Sequence, residues 1–265
     1  MQSRQAPSHD LGRGALAAAL WSALSTAPIL AADPNALEVK PGETIPLAIV
    51  PAQVSLRVSD DPQDMLWERV PEYQVQLLPA PSVHDSVKLR QAQAGPSIPL
   101  YFSVASDRKR LYIKLRWVDQ TRDQETLTDR FRDGAAVQMA LKAGDATSYM
   151  MGSADMPVNI WYWRSDSDRA ENLGVGGFGS TTTLPVQPVS VQSHYHTARM
   201  PQDNQWTLVM SRPLEQEGEY TARFEPGSVQ PLAFAVWQGA DQQRDGLKRT
   251  SPGWINVDLS PLKGS

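Results

Sequence analysis

Apolar residues along this chain arrive in short bursts with a period near two, separated by polar stretches rich in turn formers. The bursts run Val54–Val58, Tyr73–Leu78, Val87–Gln93, Leu100–Val104, Leu111–Val118, Ala135–Leu141, Val158–Trp163, Ser190–Thr197, Trp206–Met210, Leu232–Trp237 and Trp254–Leu259. Successive side chains of a strand point to opposite faces, so this alternation predicts strands with one buried face. Ser106-Asp107, Lys142-Ala143-Gly144-Asp145, Asp203-Asn204 and Gln238-Gly239 punctuate the bursts as turns do in antiparallel sheet, and Pro41-Gly42-Glu43 marks a turn in a polar lead-in. No long helical period competes with them. The expectation is a mainly β protein, an antiparallel β-sandwich with decorated loops and few short helices. No Gly/Ser-rich linker or internal repeat divides it. The least regular stretch is Asp168–Pro188, with Gly174-Val175-Gly176-Gly177-Phe178-Gly179-Ser180 inside it. It reads as a loop able to cover a ligand, and it lacks the Gly-Lys-Ser/Thr ending of a phosphate-binding loop.

The N-terminal segment breaks the strand pattern. Arg4 and Arg13 precede the run Gly14–Leu24, which continues to the small residues Ala31 and Ala32. Basic, then apolar, then small is the order of a secretory signal, so residues 1–32 are expected to be a signal peptide cut after Ala31 or Ala32. The apolar run is short and Ala-rich against the roughly 20 apolar residues a spanning helix needs, so no membrane span is expected in the mature protein. There is no twin-Arg pair, which points to export as an unfolded chain with any cofactor added afterwards. The mature part, residues 33–265, is read as a single domain.

Charge and cysteine content narrow the function. The chain carries a formal charge of -4, and loss of Arg4, Arg13 and Asp10 with the signal takes it to -5. An acidic surface does not neutralise a run of phosphates, which excludes a nucleic-acid partner and mildly favours a basic soluble one. Cysteine is absent. The chain therefore supplies no thiolates to an iron–sulfur cluster, attaches no haem covalently and has no thiol nucleophile. A metal or haem would have to be held by Met, His, Lys, Tyr or carboxylate.

Two stretches hold such residues. Tyr149–Arg164 gathers Met150, Met151 and Met156 with Trp161, Tyr162 and Trp163. A thioether is a soft ligand for haem iron or copper, and aromatic rings can wall a planar cofactor; the same residues serve equally as plain core. Ala233–Trp254 leads a strand into a polar loop containing Lys248 and Arg249. Such cations are ordinarily solvated, and a lysine ligates only where burial and metal overcome its free pKa near 10.4. His9 leaves with the signal, and His84 sits in an Asp-bearing turn without a partner in view. His194 and His196 alternate on one strand and could bind zinc or copper, but no third ligand can be named, so they read as surface or pocket-edge residues. Ser180 and Ser251 lack a His/Asp constellation, which removes support for a hydrolase.

Taken together, Phe131–Gln138, Met151-Gly152 followed by Pro157–Trp163, Trp206–Leu214, and Phe234–Trp237 leading to Gly246-Leu247-Lys248 resemble a known family. It is that of the haem b-binding gamma subunit of ethylbenzene dehydrogenase, with its relatives in dimethylsulfide dehydrogenases, selenate reductases and chlorate reductases. These are periplasmic molybdoenzymes of the second dimethylsulfoxide reductase group. The resemblance runs over most of residues 45–262 and implies a β-sandwich holding one non-covalent haem b. It implies Met151 and Lys248 as axial ligands, with Met150 and Met156 as alternative sulfur donors, and Trp161 and Trp163 beside the cofactor. Where the family usually has Trp-His-Trp, this chain has Trp161-Tyr162-Trp163. The resemblance further implies a molybdenum-containing alpha subunit, an iron–sulfur beta subunit, a soluble carrier such as a c-type cytochrome, and a periplasmic location. The competing expectation is an exported ligand- or protein-binding module without haem, with Trp161 and Trp163 lining its cleft and Lys248 solvated.

Overall fold

The computed structural model describes residues 33–264 apart from 34, 52–59, 83–84, 90–94, 129 and 143–145. The expected signal peptide, the expected strand Val54–Val58 and His84 lie outside the described residues.

The alternating bursts form strands. In chain order these are β1 (Leu37–Glu38), β2 (Thr44–Pro46), β3 (Ala48–Ile49), β4 (Tyr73–Pro79), β5 (Ile98–Ser106), β6 (Arg110–Val118), β7 (Gly134–Ala140) and β8 (Val158–Arg164). They continue with β9 (Ala170–Val175), β10 (Thr182–Thr183), β11 (Ser190–His196), β12 (Gln205–Pro213), β13 (Val229–Trp237), β14 (Arg249–Thr250) and β15 (Ile255–Asp258). Hydrogen bonding joins them in the order β10-β9-β8-β7-β13-β14-β4-β5-β6-β12-β11, a sheet that curls over itself into a sandwich. Pairing is antiparallel except for the short contacts of β1 with β4, β2 with β15 and β3 with β5.

The core lies between the two layers. Trp117, Leu115 and Phe102 from one side meet Trp161, Trp163, Val137 and Phe234 from the other, all buried. Burial of side chains this large, each worth roughly 1.5–3 kcal/mol or more, is the main force closing the sandwich. The rings of Trp163 and Trp206 pack edge to face at 5.0 Å. Among the described residues no helix is long and apolar enough to cross a membrane.

Two expectations are corrected. Asp85–Lys88, at the start of the expected strand Val87–Gln93, is a single helical turn, α1, with an Asp85–Lys88 ion pair of 2.8 Å spanning it. Leu89 just after it is 88% exposed and has no core to face, and residues 90–93 of the expected strand lie outside the described residues. The stretch Asp168–Pro188 is not simply a loop, since β9 pairs with β8 over six residues and β10 pairs back onto β9. Polar Glu171 and Asn172 had masked the strand. Asn172 is buried because its side-chain amide bonds Val186 O, its backbone N–H bonds the Gln187 side chain, and its Oδ1 accepts from Asn159.

Candidate functional site

The outer face of the layer containing β7, β8, β9 and β13 is also apolar, which a strand period of two makes possible only if something covers it. On β8, Trp161 and Trp163 point into the core while Ile160 and Tyr162 point outward. Across the sheet the outward row runs Ala235, Ala136, Tyr162, and the next row runs Ala233, Gln138, Ile160, Leu173. Ala136 and Ala235 in the first row and Ala233 in the second keep the floor low on the side of β7 and β13. Above it opens a cavity of about 480 Å³, within the range of pockets that hold cofactors.

Three connections form its walls. The turn before β8 contributes Tyr149, Met150 and Met151, the β9–β10 turn contributes Phe178, Gly179 and Thr181, and the β13–β14 loop contributes Asp245, Gly246 and Lys248. The glycine-rich segment that the sequence marks as a possible cover is thus the β9–β10 tip, at the cavity.

Met151 is held in an unusual backbone state. Its φ is 67°, and that of Gly152 is 65°. A left-handed residue other than Gly, Asn or Asp costs of order 1–3 kcal/mol and persists only where its surroundings over-determine it. Here they do: Gly152 N donates to Ser148 O at 3.0 Å and Gly177 N to Met151 O at 2.9 Å. A side chain at position 152 would put its Cβ 2.6 Å from Met156 O, so only glycine fits after Met151. Gln138, rising from the floor, donates its amide to Tyr149 O at 2.8 Å, and Trp254 Nε1 donates to Thr147 O at 2.7 Å.

Lys248 is fixed from the other side. Its carbonyl accepts from Ala80 N at 2.9 Å, just before β14 joins β4. The neighbouring Arg249 is buried, paired with Asp241 at 2.8 Å and bonded to Gln238 and to Pro96 O, which ties down both ends of the loop. Trp237 Nε1 donates to Asp245 O at 3.2 Å. The Lys248 ammonium lies 4.9 Å from the centre of the Trp237 ring, which packs edge to face on Tyr162 at 5.3 Å. Lys248 makes no ion pair among the described residues, and burial lowers its pKa from the usual lysine range to about 8, with Asp245 pulling weakly the other way. A lysine so tuned gives up its proton readily and offers a lone pair.

The loop carrying Lys248 is anchored at its base by Asp133. Its carboxylate accepts from Gly239 N at 2.8 Å, from Asp123 N at 2.8 Å and from Trp206 Nε1 at 3.0 Å, all buried. Burial raises the Asp133 pKa to about 6 against the pull of these donors. Nearby Asp119 is pushed up to about 9, first by burial and then by the charge of Asp133, so the two buried carboxyls resist being ionised together.

Met151, Met150 and Lys248 thus line one cavity, while Met156 is absent from its wall. Trp161 and Trp163, expected beside a cofactor or lining a cleft, are placed elsewhere: they are on the opposite face of β8, 0% and 1% exposed. Trp161 packs edge-on against Phe224, with Arg212 over both rings, and Trp163 packs against Trp117 and Trp206. The strand period that puts both in the core puts Tyr162 between them at the cavity. Trp237 is the site residue that sequence reasoning missed, and Tyr162, named only among the aromatics of its stretch, takes the place given to Trp161 and Trp163; the alternation of β8 and β13 was the available signal, but not which face turns outward to a ligand. Trp161→Ala or Trp163→Ala is expected to destabilise the fold by about 3–5 kcal/mol. Chemical denaturation checks this, and a variant of native stability that had lost a cofactor contact instead would contradict the placement.

His194 and His196 lie on β11 in the other layer, at a separate cavity.

Comparison with known proteins gives the family. The ethylbenzene dehydrogenase family profile matches residues 64–199 and 177–249, and the chain belongs to this family. It is 47% identical over 253 residues to the dimethylsulfide dehydrogenase subunit gamma of Rhodovulum sulfidophilum, covering 93% of this chain and 95% of that protein. A putative respiratory nitrate reductase heme subunit of Haloferax mediterranei is 32% identical over 88% of this chain and 79% of its own length. The chlorate reductase subunit gamma of Ideonella dechloratans is 34% identical over 73% and 77% respectively. Among solved structures, a family 9 carbohydrate-binding module from Caldicellulosiruptor kristjanssonii superimposes with a TM-score of 0.44 at 11% identity, over 82% of this chain and 95% of that one.

Proposed function

We propose that this chain is the electron-transfer gamma subunit of a periplasmic molybdoenzyme complex, carrying one non-covalent haem b in the cavity above β7, β8 and β13. The observation that carries the reading is the convergence of a soft thioether, Met151, and a readily deprotonated amine, Lys248, on one apolar cavity. The donor set fits the group. Neutral sulfur and nitrogen ligands suit haem iron, the alanine floor leaves a flat shelf for a macrocycle, and Tyr162 and Trp237 offer rings at its side. When bound, the haem would accept and release one electron at a time. The chain's own residues bind it, exclude water and set its ligand field.

The names of the relatives, two gamma subunits and one haem subunit, support placement in a multi-subunit complex. Without cysteine, the chain takes its electrons from clusters held elsewhere, in our reading by an iron–sulfur beta subunit next to a molybdenum alpha subunit. A soluble carrier such as a c-type cytochrome completes the path. The N-terminal 32 residues would serve as the export signal for a single mature domain.

Purified holoprotein should contain one haem per chain, extractable into acidified organic solvent, with a low-spin b-type spectrum. A chain that is cofactor-free as isolated and refuses added haem overturns the proposal, and sugar affinity in its place would favour a binding module.

Two further results are expected. Protons compete with iron for Lys248, so haem affinity of the apo chain should fall about tenfold per pH unit below about 8 and level off above it. Haemin titrations between pH 5.5 and 9 test this, and a flat profile would remove lysine from the ligand set. Gln138→Leu fills the same space but releases Tyr149 O and loosens the turn that presents Met151. Its haem affinity should drop about 10–100-fold, as for lost supporting hydrogen bonds around metal ligands, with the spin state becoming mixed.

A further inference from the structure

Alternate residues of a strand share a face, and the inward row of β12 runs Trp206, Leu208, Met210 and then Arg212. The last of these sets a guanidinium at a core position between the two layers, where it is fully buried. Its Nε donates to Pro213 O at 3.3 Å and its Nη2 to Ala222 O at 2.6 Å, while Nη1 has no hydrogen-bond partner among the described residues. The ring centres of Phe224 and Trp161 lie 4.5 Å and 5.5 Å from its central carbon. The other fully buried arginine, Arg249, is paired with Asp241 at 2.8 Å; Arg212 has no ion pair among the described residues. Burial lowers its pKa to about 10, and the side chain stays a cation at neutral pH.

A buried charge without a counterion is among the costlier things a core can hold. Two carbonyl dipoles and two ring faces keep this one in place, but none of them cancels its net charge. The buried carboxylate of Asp133 meets β12 at its opposite end, at Trp206, roughly 20 Å away along the strand. The field of Arg212 therefore reaches through β8 to the face behind it. That face is the cavity floor, because Ile160 lines the cavity while its neighbour Trp161 points to Arg212. A run of buried hydrogen bonds leads to the same place. Ala222 N donates to Asn159 Oδ1 at 3.3 Å, and Asn159 Nδ2 donates at 3.0 Å to the carbonyl of Leu173, another floor residue. With packed sheets about 10 Å apart, a charge midway between the layers lies on the order of 10 Å from a group resting on that floor. At such a distance and an effective dielectric of about 20, a unit charge shifts a charge-changing equilibrium roughly tenfold.

We propose that Arg212 is a fixed positive charge beneath the cofactor, which holds the haem potential up by favouring the ferrous state. It touches neither proposed ligand and acts only through its field. Because reduction adds an electron above the floor, the cation stabilises the reduced form more than the oxidised one. The inference rests on the haem reading and extends it to a residue on the far side of the sheet.

Potentiometric titration of the haem-loaded chain tests it, with Arg212→Met and Arg212→Gln as neutral variants. Glutamine keeps a donor for Ala222 O and methionine does not, so the two should differ in stability while sharing the loss of charge. In both, the ferrous-to-ferric ratio at a given applied potential should fall about tenfold, which is about 59 mV for one electron. The low-spin spectrum should stay that of the parent, and the shift should persist at high salt, since a buried charge is little screened. Either variant suffices if the other does not fold. A ratio within about twofold of the parent overturns the proposal, as does a shift that follows the loss of stability instead of the loss of charge; Arg212 would then be a structural cross-link. Loss of the low-spin spectrum along with the shift would mean that the ligands had moved, and overturns it as well. A parent chain that takes up no haem removes this inference together with the reading beneath it, whereas an unmoved potential in a low-spin holoprotein removes this inference alone.

Discussion

Lys248→Ala is expected to give a folded chain that no longer holds low-spin haem. The side chain is half-buried, makes no ion pair among the described residues and touches the fold mainly through Trp237, so its removal leaves no buried partner unsatisfied. The backbone bond from Ala80 N to its carbonyl is unaffected. With Lys248 as the proposed nitrogen donor, loss of the amine should lower haem affinity by about 100-fold or more, beyond the effect of a supporting residue. The spectrum should move to high-spin or water-ligated iron, and added methylamine should restore part of the low-spin signal. Met151→Ala should do less, because Met150 lines the same cavity and can supply sulfur in its place. That variant should also lower the midpoint potential, since thioether favours the ferrous state. A Lys248→Ala protein that keeps the parent spectrum would end the lysine assignment.

Asp133→Ala should be the most destabilising single change near the site. It orphans three buried donors, Gly239 N, Asp123 N and Trp206 Nε1. At roughly 1–3 kcal/mol for each unsatisfied group, partly relieved by relaxation, the loss is about 3–5 kcal/mol. Gly239 cannot move aside easily, because it packs so tightly that a Cβ there would fall 1.7 Å from Phe131 O. The loop that ends in Lys248 should therefore loosen and haem affinity fall with stability. The pH dependence carries a second signature. Asp119 and Asp133 both titrate above the ordinary carboxylate range in the folded state, so the stability they contribute is present below the unfolded value near 3.9 and is lost as pH rises from there through about 6 for Asp133 and about 9 for Asp119. The thermal midpoint of the parent should decline over that window, and the decline should shrink in Asp133→Ala. An unchanged denaturation midpoint in the variant would show that the loop is held by other means.

Much of the architecture was legible because strand formation leaves a period-two trace in the chain. Tyr73–Leu78, Leu111–Val118 and Val158–Trp163 each alternate over a full strand, and each appears with its ends shifted by at most one or two residues. The trace fails where burial is achieved by hydrogen bonds instead of apolar side chains, as at β9, where Asn159, Asn172 and Gln187 satisfy one another. It also fails where an apolar residue occurs without a core, as at Leu89 beside α1.

The sequence by itself determined the sandwich class, the absence of any thiolate chemistry, and, through ordered motifs, the family and the residue types that could meet a metal. Alternation is a local property, so it could pair Trp161 with Trp163 on one face and set Tyr162 on the other. It could not say which face meets the second layer. Only the curling of the sheet decided that, by spending the large indoles on the core and leaving a floor of alanines beneath the cavity. The approach of Met151 and Lys248 is likewise tertiary. Their loops are joined by the pairing of β7 with both β8 and β13, and the lowered basicity of Lys248 comes from desolvation that exists only once those loops close over the sheet.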